Sequence, residues 1–294
     1  MAEQVLEQPA APAQAGSRGR GRTLAWHVGV ILAVLVVVYP VLWMLGTSFK
    51  PAVDVISSIR PWPAHPTLQN YPDGWTANPN VTFGRFFVNS LIVATGVVLG
   101  NLVGCSLAAY AFARLRFRFR GALFAVMVAT ILLPYHVLII PQYVIFRQFG
   151  WINTFLPLIV PKFLATEAFF IFLITQFMRG IPRELDEAAS LDGCGPLRMY
   201  WRIILPLSRP ALVTTTIFSF IWTWNDFFPQ LIYLNDTSRF TVPRGLSLFV
   251  DQTSTASYGP MMAMSMLAMV PVLLFFLAFQ RLLVEGAATT GLKG

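Results

Sequence analysis

Six stretches of this chain are apolar for long enough to cross a membrane, and polar or proline-rich segments separate them. A spanning helix needs about 20 mostly apolar residues. The runs at 24–46, 86–113, 121–143, 161–178, 210–233 and 260–282 satisfy that requirement. The fourth is the least apolar, because it carries Lys162 and Glu167. Pro40, Pro134, Pro141 and Pro271 fall inside these runs. Membrane helices tolerate proline where neighbours re-satisfy the freed backbone groups. The pattern predicts an all-α integral membrane protein with six transmembrane helices.

The polar segments orient the spans. With the N-terminus inside, fourteen arginines and lysines fall on inner segments, against six on outer ones. That bias predicts cytoplasmic N- and C-termini. Residues 1–23 are rich in Ala, Gln, Pro and Gly without apolar periodicity, which predicts a disordered cytoplasmic tail. Arg18, Arg20 and Arg22 precede the first run as in a signal peptide. That run is longer than an h-region and no A-x-A-like site follows it, so a retained signal-anchor is expected. The first span and a Pro- and Trp-rich extracytoplasmic loop make up 24–85, a five-helix core occupies 86–282, and 283–294 form a cytoplasmic tail.

Composition agrees with a bilayer as solvent. The 294 residues are 56% hydrophobic and 12% charged, where soluble domains carry roughly 25% charge. A net charge of +8 could suggest nucleic acid, but the basic residues flank apolar runs instead of interleaving with aromatics, so it reads as topology. Cys105, Cys194, His27, His65 and His136 have no ligand spacing, and no metal site is expected.

The inner segment between the fourth and fifth runs is unusual. Pro182 suits a first helical turn, and Glu184, Asp186 and Glu187 favour a helix N-terminus. Leu185, Ala188, Ala189 and Leu191 supply a small apolar face. Gly193 and Gly195 then break the helix, Pro196 starts a second one over 196–205, and Pro206 is expected to stop it. The product is a helix–turn–helix knob on the cytoplasmic face, of a shape that suits a groove on a partner protein.

The spacing within this knob, E-A-A, three residues, G, nine residues, I-x-L-P, places Glu187, Ala188, Ala189, Gly193, Ile203, Leu205 and Pro206 in one register. It resembles the coupling-helix signature of the permease subunits of binding-protein-dependent ABC importers. "YPVLWMLGTSFKP" at 39–51, "NSLIVA" at 89–94, "AAYAFARLRF" at 108–117, "IPRELDEAASLDG" at 181–193, "WTWNDFFPQL" at 222–231 and the terminal "GLKG" narrow the resemblance to the maltose-type carbohydrate family. Within it, they resemble the shorter second permease subunit. Cys194 stands where that family usually has a small alanine-like residue, and Asp226 where a glutamate is common.

The resemblance implies a type I importer fold with an ABC permease core at 86–282, in the bacterial cell (inner) membrane. It also implies a second permease subunit, a homodimeric cytoplasmic ATPase, an extracytoplasmic solute-binding protein and surrounding lipid as partners, and no nucleic acid. ATPase coupling would fall to Glu187, Ala188, Ala189, Asp192, Gly193, Ile203, Leu205 and Pro206, with Glu187 facing a basic residue of the ATPase. A P-loop needs a glycine-rich turn followed by lysine. Lys50, Lys162 and Lys293 are the only lysines and none follows such a turn. The chain is therefore expected to be no enzyme and to hold no cofactor, with ATP and Mg bound by the partner ATPase.

Ionisable residues inside a span are functional candidates. Glu167 lies roughly 9 Å in from the outer side and Asp226 about 24 Å along a core of about 30 Å. Lys162 and Glu167 are five apart, about 140° around a regular helix, so they are expected to be poor mutual partners. Lys162 or a residue of the second permease subunit is instead expected to neutralise Asp226. Trp222, Trp224 and Asn225 accompany Asp226, a set that suits a sugar, and Asn101 and Tyr135 complete the pathway candidates. An interfacial aromatic belt and helix–helix contacts are the alternative roles for these residues. A sugar is the expected substrate and glycerol 3-phosphate or another polyol the alternative. A gradient-driven secondary transporter would need a pair of broken helices and no ATPase. An intramembrane enzyme would need paired catalytic residues, and the sequence offers none.

Overall fold

The computed structural model describes residues 18–58, 60–250 and 257–291, with side chains from 23 to 280 apart from residue 56. Among these residues helices joined by loops make up the fold, with no strand. The main helices are α1 (Arg18–Ser48), α2 (Phe83–Arg114), α3 (Arg120–Thr130), α4 (Tyr135–Gln148), α5 (Leu156–Phe163) and α6 (Ala168–Arg179). They continue with α7 (Glu184–Leu191), α8 (Pro196–Leu207), α9 (Arg209–Asn225), α10 (Phe228–Tyr233), α11 (Val242–Val250) and α12 (Tyr258–Gly291). Four segments are long and apolar enough to cross a membrane singly, and six if each of two bent pairs counts as one span.

The central helix is α2, which packs against α5, α6 and α9. Its glycines explain how closely α5 approaches. A Cβ on Gly100 would stand 2.9 Å from the Lys162 Cβ, and one on Gly104 would stand 2.8 Å from the carbonyl oxygens of Lys162 and Phe163. Small residues four apart let membrane helices touch backbone to backbone. Buried residues form two clusters. An outer one centres on Phe83, Phe86, Val93, Trp224, Tyr233 and Met264, and an inner one on Tyr110, Ile174, Met178, Tyr200 and Ile204. By contrast α1 packs along its length mainly against α12, and its membrane window leaves 0% buried within this chain.

Several expectations about the spans need correction. The third run is not one helix, since α3 and α4 meet at 101°. Pro134 disfavours helix at the residue before it, and it sits extended (ψ 123°) at the start of α4. The fifth run ends at Asn225, because Asp226 is extended (ψ 121°) and Pro229 opens the separate α10. Pro206 does not stop α8, which ends at Leu207 and bends by 75° into α9. Leu205 N–H reaches back to the Tyr200 carbonyl, and the wide turn Tyr200–Ile204 opens the ladder where proline has no N–H to give. Helix extends into the segments expected as tails, 1–23 and 283–294. The backbone is already helical from Arg18 and remains so to Gly291, while residues 1–17 and 292–294 of those tails lie outside the described residues.

The outer loop folds onto the top of α1. Asn70 Nδ2 donates to the carbonyls of Ser48 and Lys50, both at 2.8 Å. Buried Lys50 donates to the Ser58 carbonyl at 2.9 Å.

Candidate functional site

The knob is built as the sequence pattern implied. Three acidic residues occupy the first turn of α7. Its C-terminus closes with Cys194 N–H on the Ala189 carbonyl at 2.9 Å and Gly193 N–H on the Ser190 carbonyl at 3.1 Å. Gly193 has φ +73°, the left-handed region that terminates helices and favours glycine. The tip is exposed and apolar, with Leu191 89% and Leu197 66% accessible. Glu187, Ala188, Asp192 and Pro206 are exposed around it, and Glu187 forms no ion pair among the described residues. Ala189 differs from the rest. It is buried against the inner cluster, with Ile203 and Leu205 half-buried beside it, so these three support the knob from below.

One residue of this region escaped the sequence reading. Arg114, the last residue of α2, donates from Nη1 to Asp186 Oδ2 at 2.9 Å. Its Nη2 donates to the carbonyls of Met178 and Ile181 at 2.7 and 2.8 Å. In the sequence Arg114 counted only as one more inner charge, because nothing local distinguishes it from Arg116 or Arg118.

Between the helices, α2, α4, α5, α6, α9 and α10 line a cavity of about 270 Å³. Asn101, Tyr135, Lys162, Glu167 and Asp226 line it, together with Ser219, Trp222, Thr223 and Gln230. Six of the eight pathway candidates thus share one space. Trp224 and Asn225 do not. Trp224 is buried in the outer cluster and donates from Nε1 to the Ala268 carbonyl at 3.0 Å, and Asn225 Nδ2 donates to Ile221 at 2.8 Å. Two residues before Trp224, Trp222 lines the cavity wall.

Charge pairing also departs from expectation. Lys162 and Glu167 form an ion pair, each about a quarter to a third exposed. An unbroken helix would hold them apart, but α5 ends at Phe163, Ala165 adopts φ +57° and α6 begins at Ala168. Thr166 Oγ1 caps the break on the Pro161 carbonyl at 3.0 Å. This break brings Glu167 within ion-pairing reach of Lys162. Asp226 lines the same cavity without an ion-pair partner among the described residues. The pocket therefore presents two carboxylates, one lysine, amide and hydroxyl groups and two aromatic walls, Trp222 and Phe170. Hydroxyl-rich solutes can hydrogen-bond to such groups and stack on such rings.

An all-helical bundle that holds a polar cavity between its helices and presents a small knob beyond its helix ends is a multi-pass membrane transport component. Comparison with known proteins makes this specific. The chain belongs to the family of binding-protein-dependent transport system inner membrane components, whose model matches residues 82–288. It is 31% identical over 256 residues to the diacetylchitobiose uptake system permease protein NgcG of Streptomyces coelicolor, covering 87% of this chain and 84% of that one. It is also 31% identical to the trehalose/maltose transport system permease protein MalG of Thermococcus litoralis, covering 91% and 95%. Its fold matches, with a TM-score of 0.80 at 20% identity, a chain from the crystal structure of a bacterial ABC transporter involved in import of the acidic polysaccharide alginate, covering 93% of this chain and 99% of that one.

Proposed function

We propose that this chain is one permease subunit of an ATP-driven sugar importer. It forms half of a translocation pathway with a second permease subunit and receives its solute from an extracytoplasmic binding protein. A homodimeric cytoplasmic ATPase, which holds ATP and Mg, docks on the 182–206 knob. The exposed knob carries this reading, because a charged, apolar-tipped element projecting beyond the membrane helices needs a partner surface to cover it. Glu187, exposed at its flank, meets a basic residue of the ATPase, and the N- and C-termini lie on the same cytoplasmic side.

A sugar is supported by the polar, aromatic-walled cavity and by the names of the relatives. The alternative of a phosphorylated polyol is disfavoured, since Lys162 is committed to Glu167 and the remaining charge on the wall is the carboxylate of Asp226. The decisive experiment purifies the tagged chain in mild detergent beside a Gly193→Asp variant. Recovery of a second permease and a P-loop ATPase with the natural chain, and loss of the ATPase from the variant, is the expected result. A natural chain that purifies alone, stable and monodisperse, would refute the reading in favour of a gradient-driven transporter.

A further inference from the structure

The knob does not hang from the membrane domain by its chain connections alone. Arg114 fastens its first helix, through Asp186 and the carbonyls of Met178 and Ile181. Its guanidinium is buried, with a side-chain exposure of 2%. One turn back along α2, Tyr110 donates its hydroxyl to the Pro196 carbonyl at 2.8 Å, where the second helix of the knob begins. A further turn back, Ser106 and Tyr200 share a hydroxyl–hydroxyl bond of 2.7 Å. Arg183 closes the set from the knob side by donating to the Ala113 carbonyl at 3.3 Å. Three successive turns of one helix thus hold both limbs of the knob.

The same helix reaches the cavity. Val93, Val97 and Asn101 of α2 line it, and Asn101 lies 13 residues, or roughly 20 Å, from Arg114 at the rise of an α-helix. On α6, Phe170 lines the cavity and Met178 carries one of the carbonyls that Arg114 grips. Knob and cavity therefore both rest on the same two rigid elements. The joint is also incompletely satisfied, since Arg114 Nε and Asp186 Oδ1 are buried without partners. A buried ion pair held only in part is poorly justified as a stabilising feature, but it does fix the angle between two elements.

We infer that Arg114, with Asp186 and Tyr110, is a positioning joint that converts movement of the docking knob into movement of the cavity wall. It does not contact the ATPase or the solute. This inference rests on the importer reading above. It adds that docking and coupling are separable, docking belonging to the exposed tip and coupling to the buried joint.

The test needs no knowledge of the transported sugar. Thr223, on the cavity wall, is replaced by cysteine in the full complex after Cys105 and Cys194 are removed. Its reaction rate with a membrane-impermeant maleimide is then measured with and without ATP plus orthovanadate, which traps the ATPase dimer closed. The ratio of the two rates reports coupling. Asp186→Asn and Tyr110→Phe remove single contacts with little change of shape, and Arg114→Gln removes the centre of the joint. All three are expected to retain the ATPase at natural stoichiometry and to hydrolyse ATP. Their rate ratio should collapse toward one by roughly 2- to 30-fold, the range typical of residues that carry coupling between sites. A natural ratio in Arg114→Gln would overturn the inference. So would loss of the ATPase from the two mild variants, which would make the joint a folding element of the knob. An unresponsive natural chain, or one that brings down no ATPase, would instead sink the importer reading and this inference with it.

Discussion

Gly104 offers a sharp test of how α5 is held against α2. In a helix interior, replacing glycine by alanine ordinarily stabilises by about 1 kcal/mol. At Gly104 the new methyl group would lie 2.8 Å from two carbonyl oxygens and 3.0 Å from the Ala165 amide nitrogen. Overpacking of this kind costs typically about 1–3 kcal/mol, and backbone atoms cannot rotate aside, so the upper end applies. Subtracting the gain in helix propensity leaves a net loss of about 2 kcal/mol. Gly29 in α1 is the control, since its added Cβ would meet nothing within 4 Å of this chain. Thermal unfolding of the purified protein in detergent, followed by tryptophan fluorescence, should place Gly104→Ala roughly 4–8 °C below the natural chain, scaling from domains of comparable size. Gly29→Ala should match or exceed the natural chain. Lys162 is carried on the displaced backbone, so solute movement should fall as well. If the two alanine variants melt together, the close approach of α5 does not set the position of Lys162.

At Gly193, the left-handed backbone costs a side chain about 1–2 kcal/mol, and asparagine less than alanine; ATPase docking should weaken in the order Gly, Asn, Ala, Val, by roughly 5- to 30-fold for alanine. Equal ATPase recovery with valine would contradict this. Lys162→Met should destabilise by about 1–2 kcal/mol, below the cost of breaking a fully buried pair because both groups are partly solvated. The double variant with Glu167→Gln should regain most of that loss, and a double variant no better than the single would disprove the pairing. In the outer loop, the Ser238 N–H and hydroxyl hold the Asp236 carboxyl below its ordinary value of 3.8. A carboxyl that titrates lower when folded contributes fully above its unfolded value and loses that contribution as the pH falls through the folded one. The protection of the Ser238 amide, its intrinsic exchange rate relative to the observed rate at each pH, should therefore fall in the natural chain on acidification below 3.8, while in Asp236→Asn it stays constant.

The positions of the apolar runs and the form of the knob were legible because both depend on local chemistry. Length and apolarity locate spans, and a glycine after an acidic helix marks a turn whatever surrounds it. The breaks within the spans were partly legible. Pro134 and Pro229 advertise them, yet Pro40, Pro141 and Pro271 sit inside helices that continue. Proline states only that an N–H is missing. Whether neighbouring turns absorb that loss, as the wide turn before Pro206 does, is settled by packing.

The cavity was legible in its residue types but not in its membership. Periodicity cannot assign Trp222 to the wall and Trp224 to the core until the neighbours of α9 are placed, because both lie on apolar helix surface. The Lys162–Glu167 pair defeated a spacing rule that holds only for continuous helix. The rule failed at Ala165, whose left-handed backbone marks the break between α5 and α6. Arg114 was the furthest from view, since its partners Met178, Ile181 and Asp186 lie more than 60 residues away.

The sequence by itself thus determined where the chain meets lipid, where it meets water, and that a stiff two-limbed element projects between its later spans. Those features follow from the transfer energies and backbone preferences of residues taken a few at a time. Only the tertiary structure decided which charges pair, which aromatic ring faces the cavity, and how the projecting element is fastened to it. Each of these depends on side chains from distant segments meeting in a low-dielectric interior, where the partner of a buried polar group is fixed by geometry and not by nearness in sequence.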